Sequence, residues 1–173
     1  MQKFIVTPNE AGQRLDKLLA KYLNLAPKSF IYKMLRKKNI VLNGKKATGN
    51  EKLAVGDSVK IFLADETIAK FSKQEIVRTE AKLDIIYEDS NVLMINKPVG
   101  MLSQKADAKD TSVVEHAISY LLDSGQITEE ELRSFKPSIC NRLDRNTSGL
   151  LLIARNRRAA GKLTQSMQNG EIK

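Results

Sequence analysis

One cysteine (Cys140), one histidine (His116) and no tryptophan occur among 173 residues. A single thiol excludes a disulfide framework and any cysteine-rich zinc module, and it points to a reducing compartment. A single imidazole excludes a site built from several histidines. No apolar run approaches the ~20 residues needed to span a bilayer. The opening stretch Met1–Pro8 is too short and too mixed for a secretory signal. Gly161-Lys162 runs into Leu163 and lacks the upstream glycine of a phosphate loop, and no dinucleotide or metal signature occurs elsewhere. The expectation is a cytoplasmic protein with no membrane partner, no metal and no cofactor.

What the chain does have is unevenly placed positive charge. Residues 1–63 hold 13 Lys+Arg against 4 Asp+Glu, whereas residues 64–173 hold 16 of each. The whole excess of +9 therefore sits in the leading third. A basic block beside a neutral one reads as an electrostatic binding module joined to a part with another task, or as a solubility surface. The stretch beginning Ala64-Asp-Glu-Thr is polar and poorly periodic, which suggests a linker.

In the basic block, Leu15, Leu18, Leu19 and Tyr22 recur at helical spacing over Gln13–Asn24. Pro27 ends that pattern, and Ser29 is placed to cap a second helix running to about Lys38. Ile31, Met34 and Leu35 form its apolar stripe, leaving Lys28, Lys33, Arg36, Lys37 and Lys38 mostly off it. Ile40-Val-Leu runs into Asn43-Gly44, a strong hairpin signal, and Gly56-Asp57 precedes an alternating strand. Taken singly, each lysine also fits an ordinary solvated surface.

The landmarks R-L-D-K-L-L, I-V-L-N-G-K and V-G-D-S-V, in this order over residues 13–62, resemble the S4-like RNA-binding domain. That family docks its second helix on folded RNA. The resemblance therefore implies RNA contacts from Lys28, Ser29, Lys33, Arg36, Lys37 and Lys38. Clustered cations release counterions from phosphates whatever the base sequence, and so position an RNA without reading it. Only Phe30 and Tyr32 offer rings nearby, which disfavours reading single strands by stacking.

In the neutral block, Leu83–Glu88 and Val92–Lys97 are strand-length apolar runs around Asp89-Ser90-Asn91, which predicts a hairpin. Ser112 and Glu115 form a capping box before Val114, Ala117, Ile118, Leu121 and Leu122 at helical spacing. Thr128 and Glu131 repeat it for a short helix, and His116 reads as structural. The polar loop Asn141-Arg-Leu-Asp-Arg-Asn-Thr-Ser-Gly opens into Leu150-Leu-Leu-Ile-Ala, a buried strand. Within that loop, Arg142 and Arg145 flank Asp144 and would keep a partly buried carboxylate ionised. Such a group is a competent nucleophile or base. Asp144 equally suits a turn in which its side chain bonds the backbone near Asn146 or Thr147. After the strand, 156–169 reads as a helix presenting Ala160, Leu163 and Met167.

The nonapeptide at 141–149, the upstream Asp84…Asn96-Lys-Pro-Val-Gly and the S4-like block together resemble the RluA-type pseudouridine synthases, which modify large-subunit ribosomal RNA. Their motif is usually H-R-L-D-x-x-T-S-G. The resemblance implies that Asp144 is catalytic, that Arg142 fills the space vacated by a flipped base, and that Arg145 and Thr147 lie at the RNA. Position 141 departs, with Asn where His is commonest; Asn exchanges hydrogen bonds but does not titrate. The family's stacking Tyr and the basic partner of its Asp are not among these residues, which implies a chain cut within the catalytic domain.

The fold expected is α+β. A small two-helix-plus-short-strands RNA-binding domain spans 1–64, and a linker follows at 65–80. Residues 81–173 form the amino-terminal part of a mixed, mainly antiparallel β-sheet catalytic domain with flanking helices. The partner expected is ribosomal RNA, with transfer RNA as the other candidate; the residues leave the oligomeric state open, and the resemblance favours a monomer for full-length members of the family. Three functions compete: an RNA pseudouridine synthase using Asp144, a non-catalytic RNA-binding protein, and a hydrolytic nucleoside glycosylase. The last lacks a second acid at a telling spacing.

Overall fold

The computed structural model describes residues 1–73, 76–80 and 82–172. Two compact units divide at Glu75/Ile76. The parts of the expected linker and second domain that fall on residues 74, 75, 81 and 173 lie outside the described residues.

The first unit runs β1 (Gln2–Ile5), α1 (Leu15–Tyr22), α2 (Lys28–Arg36), β2 (Ile40–Leu42), β3 (Lys45–Lys46), β4 (Ser58–Ile61) and α3 (Asp65–Phe71). Its sheet has the order β1-β4-β2-β3, with every pair antiparallel. The two-residue connection between β2 and β3 works because Asn43 (φ +50°) and Gly44 (φ +74°) both take the left-handed conformation a tight hairpin requires. Leu15, Leu18 and Leu19 of α1 and Ile31 and Leu35 of α2 are buried against Ile40, Val59 and Ile61 of the sheet. This apolar stripe fixes the roll of α2, so its polar residues face outward.

Two expectations change here. Ser29 does not cap α2: Pro27 takes the cap position with extended backbone and Ser29 lies inside the first turn, because proline's fixed φ already suits a helix entry. The expected linker is partly helix, since α3 buries Ile68 in the first core. Phe71 rests on Phe30 at 4.5 Å between ring centroids, and its carbonyl accepts the Leu25 N–H. Two apolar residues in a polar segment are enough to tie it down.

The second unit runs β5 (Ile85–Glu88), β6 (Val92–Lys97), α4 (Val113–Asp123), α5 (Glu131–Ser134), β7 (Ser138–Ile139), β8 (Gly149–Ala154) and α6 (Arg157–Gln168). Its sheet has the order β5-β6-β8-β7, again with antiparallel pairs throughout. Leu93 and Ile95 of β6, Leu151 and Ile153 of β8, and Val113 and Ala117 of α4 make its core. The capping box of α4 forms as expected. Residues 76–80 belong to this unit. Arg78 pairs with Asp123 (2.8 Å) and Glu129 (3.0 Å), and the Thr79 hydroxyl lies 3.0 Å from His116 Nδ1. His116 is thus structural. On α6, Ala159 is buried and Ala160, Leu163 and Met167 are half-buried, whereas Gly161, Lys162, Thr164 and Gln165 are exposed, so the predicted apolar face is the inward one and Ala159 joins it.

No described helix is long and apolar enough to cross a membrane.

Candidate active site and RNA-binding face

On the first unit, Lys28, Ser29, Lys33, Arg36, Lys37 and Lys38 are all exposed on or just after α2. Among the described residues no carboxylate pairs with any of these five cations. Lys38 holds φ +59°, which turns the chain sharply out of the helix and keeps the charge at its end. The neighbouring Arg14 is different. Its Nε and Nη2 donate to Asp16 at 3.0 and 2.8 Å, and Nη2 also reaches Asn50. Tyr32 of α2 donates to the same Asp16 carboxylate at 2.8 Å. Burial pushes the Asp16 carboxyl up, but the Arg14 and Tyr32 hydrogen bonds outweigh it and hold it below the ordinary range. Arg14 is therefore a fixed, locally neutralised guanidinium beside a face of free charges.

On the second unit, the loop between β7 and β8 carries Asp144. Arg142, Asp144, Arg145, Thr147 and Ser148 are exposed, and Leu143 between the first two is half-buried. The loop turns at 144–147, where the Thr147 N–H donates to the Asp144 main-chain carbonyl at 3.0 Å. The turn is made by the backbone, not by the carboxylate. Among the described residues no hydrogen bond or ion pair engages the Asp144 side chain.

This corrects the expected electrostatics. Asp144 is neither partly buried nor clasped by its neighbours. Arg145 sends its Nε to the Gly100 carbonyl at 3.2 Å, because that carbonyl is brought beside it by the bond from Gly100 N–H to Arg145 O at 2.8 Å. Solvent, rather than two guanidiniums, surrounds the carboxylate.

The loop is nevertheless fastened at three alternate residues. Asn141 uses both ends of its amide on β8: Nδ2 donates to Leu150 O at 3.0 Å, and Oδ1 accepts Leu152 N–H at 2.8 Å. Ser103 binds Leu143, with Oγ donating to its carbonyl at 2.6 Å and accepting its N–H at 3.2 Å. Lys97, fully buried at the end of β6, directs Nζ to the carbonyls of Met101 (2.8 Å), Pro98 (3.0 Å) and Arg145 (3.4 Å). Asn96 and Asp84, which belong to the same upstream motif, meet at 3.0 Å.

Sequence reasoning met Lys97 and Arg14 only as letters of motifs, without a role, and did not pick out Ser103. For Lys97 a signal existed: Leu93, Ile95 and Lys97 share one face of β6, and the first two are core. Nothing in Met101-Leu-Ser-Gln marks Ser103. Among the described residues no cluster of His, Cys, Asp or Glu is placed to hold a metal. Burial pushes the Cys140 thiol up, away from thiolate reactivity.

Residues 13–59 match the model of the S4 domain, and residues 91–173 match that of RNA pseudouridylate synthase. An uncharacterized RNA pseudouridine synthase of Mycoplasma capricolum is 33% identical over 169 residues, covering 97% of this chain and 55% of its own length. Residues 91–173 belong to the RNA pseudouridylate synthase family, behind an S4 domain. Ribosomal large subunit pseudouridine synthase C of Escherichia coli is 32% identical, with 94% of this chain and 49% of that protein covered. The protein of the same name from Rickettsia bellii is 37% identical, at 92% and 52%. The chain spans about half the length of the curated relatives it matches. All five exposed cations of α2 and its exit fall within the S4 match. Both Lys97-Pro98 and the Asp144 loop fall within the pseudouridylate synthase match.

Proposed function

We propose that this chain is the RNA-binding and aspartate-bearing portion of an RNA pseudouridine synthase acting on specific uridines of large-subunit ribosomal RNA, with Asp144 as the catalytic carboxylate. One observation carries the reading: the only side chain of the fastened 141–145 stretch that bears a carboxylate is exposed and unengaged, while the main chain on both sides of it is pinned. A structural aspartate spends its oxygens on turn or ion-pair partners; this one has none among the described residues. The names of the relatives support ribosomal RNA as the substrate class.

The reaction is an isomerisation. The bond from uracil N1 to the ribose anomeric carbon breaks, and a bond from uracil C5 to that carbon forms. The C5 proton leaves and N1 gains one, so nothing is oxidised or reduced. Asp144 serves by attacking the anomeric carbon or by abstracting a ribose proton; both need an exposed carboxylate held in place. The base must first leave its stack, at a cost of a few kcal/mol. Arg142, exposed on the loop two residues before Asp144, can fill the gap by stacking a planar guanidinium, which lysine cannot do. The cations of α2 supply affinity through the phosphates.

The test compares the 173-residue chain with a carboxyl-terminally extended protein on unmodified ribosomal and transfer RNA, mapping pseudouridine chemically. Product from the extended wild type and none from its Asp144→Asn variant is the expected result. RNA binding by both lengths with no product from either would instead favour a non-catalytic RNA-binding protein. Product on transfer RNA alone would overturn the ribosomal assignment.

A further inference from the structure

A carboxylate with no partner among the described residues is aimed by its backbone. The direction of the Asp144 Cα–Cβ bond is set by the two rigid peptide planes on either side of it. The plane after it is held through the Asp144 carbonyl, which accepts the Thr147 N–H at 3.0 Å. The plane before it contains the Leu143 carbonyl and the Asp144 N–H. That carbonyl accepts one hydrogen bond from a side chain, the 2.6 Å bond from Ser103 Oγ. The hydroxyl is buried, with the residue 5% exposed, and the same oxygen accepts the Leu143 N–H at 3.2 Å. One serine thus satisfies both polar groups of a residue forty positions away, standing in for a strand that is not there.

We infer that Ser103 is a positioning residue for Asp144, fixing the peptide plane from which the carboxylate projects. The assignment rests on the proposed catalytic role of Asp144. Removing the hydroxyl leaves the Leu143 carbonyl and N–H without a partner in a half-buried site and frees that plane to turn. The carboxylate then swings, while the exposed cations of α2, in the other unit, are untouched. A displacement near 1 Å at a reacting group costs on the order of 100-fold in rate.

The experiment uses the full-length protein with ribosomal RNA under single-turnover conditions, enzyme in excess. Ser103→Ala and Ser103→Val are expected to lower the rate constant of pseudouridine formation by about 10- to 100-fold, with RNA affinity within twofold of wild type. Ser103→Thr, the isostere of valine that keeps the hydroxyl, is expected to stay within a few-fold of wild type. The contrast between Thr and Val is a readout that loss of packing does not produce. Wild-type rate in Ala or Val, a fall in Thr as deep as that in Val, or a rate loss that tracks lost RNA affinity would each overturn the assignment. An inactive wild type sinks the synthase reading itself and this assignment with it, whereas an active wild type with any of those three patterns sinks only the role of Ser103.

Discussion

The charge on α2 makes a prediction that requires no catalysis. Lys28, Lys33, Arg36, Lys37 and Lys38 are exposed, and no described carboxylate neutralises them. Each one that meets a phosphate releases condensed counterions and steepens the salt dependence of binding by ~0.7 in log–log slope on a single strand. Replacing Arg36, Lys37 and Lys38 together by Ala removes up to three contacts, or about 2 in slope. Alanine is preferred over glycine because it keeps the Cβ that Lys38 already carries at φ +59°. Over a fourfold rise in salt, from about 50 to about 200 mM, wild-type affinity should therefore fall roughly 20-fold further than that of the variant. Fluorescence anisotropy with a labelled ribosomal RNA fragment, titrated at five or six salt concentrations, measures both slopes. Arg78→Ala is the matched control: its guanidinium is exposed too, but is already paired with Asp123 and Glu129, so the slope should not move. A triple variant with the wild-type slope, whatever its affinity at one salt concentration, removes this helix from the interface.

Two further perturbations probe the first unit. Asp16 is held below the ordinary carboxylate range, so it contributes stability that is present above its unfolded value of ~3.9 and lost as pH falls through its lower folded value. Asp16→Asn should lower Tm at pH 7, with the gap to wild type closing toward pH 3; a gap that widens on acidification would refute the sign. Gly49 sits at φ +99°, and a Cβ there would lie 3.2 Å from Leu35 Cδ1 and Tyr32 Cε1. Gly49→Ala should cost about 1–3 kcal/mol in chemical denaturation, from backbone strain and crowding together. An unchanged midpoint would show that the loop relaxes freely.

Elements whose signals are local were legible in the residues. Asn43-Gly44 dictates its own turn, Ser112 and Glu115 satisfy each other's backbone at the start of α4, and the leucines of α1 declare a face. What escaped depends on distant partners. β1 is four residues, Gln2–Ile5, whose strand character comes from pairing with Ser58–Ile61 more than fifty positions away. β7 is two residues long and exists only as an edge on β8. The helix at Asp65–Phe71 lies in a polar segment, and Ile68 and Phe71 acquire meaning only once the core they enter is built. Ser29 was a sound capping candidate until the proline two residues before it took the position.

The candidate site divides along the same line. Asp144 could be proposed from its motif because the string around it is recognisable and holds one carboxylate. The means of holding it could not, because each fastening is a side chain reaching the main chain of another segment. Asn141 makes the point most sharply. Read against a family that commonly has His there, it looks like the loss of a titrating group. In the fold its amide accepts from Leu152 and donates to Leu150, as a neighbouring strand's peptide group would, so it extends the β8 ladder into the loop. That task requires an acceptor and a donor on one short, uncharged group, which asparagine supplies at every pH. Asn141 at this position thus leaves the role proposed for Asp144 intact: the amide anchors the loop, and the carboxylate three residues on has no partner among the described residues.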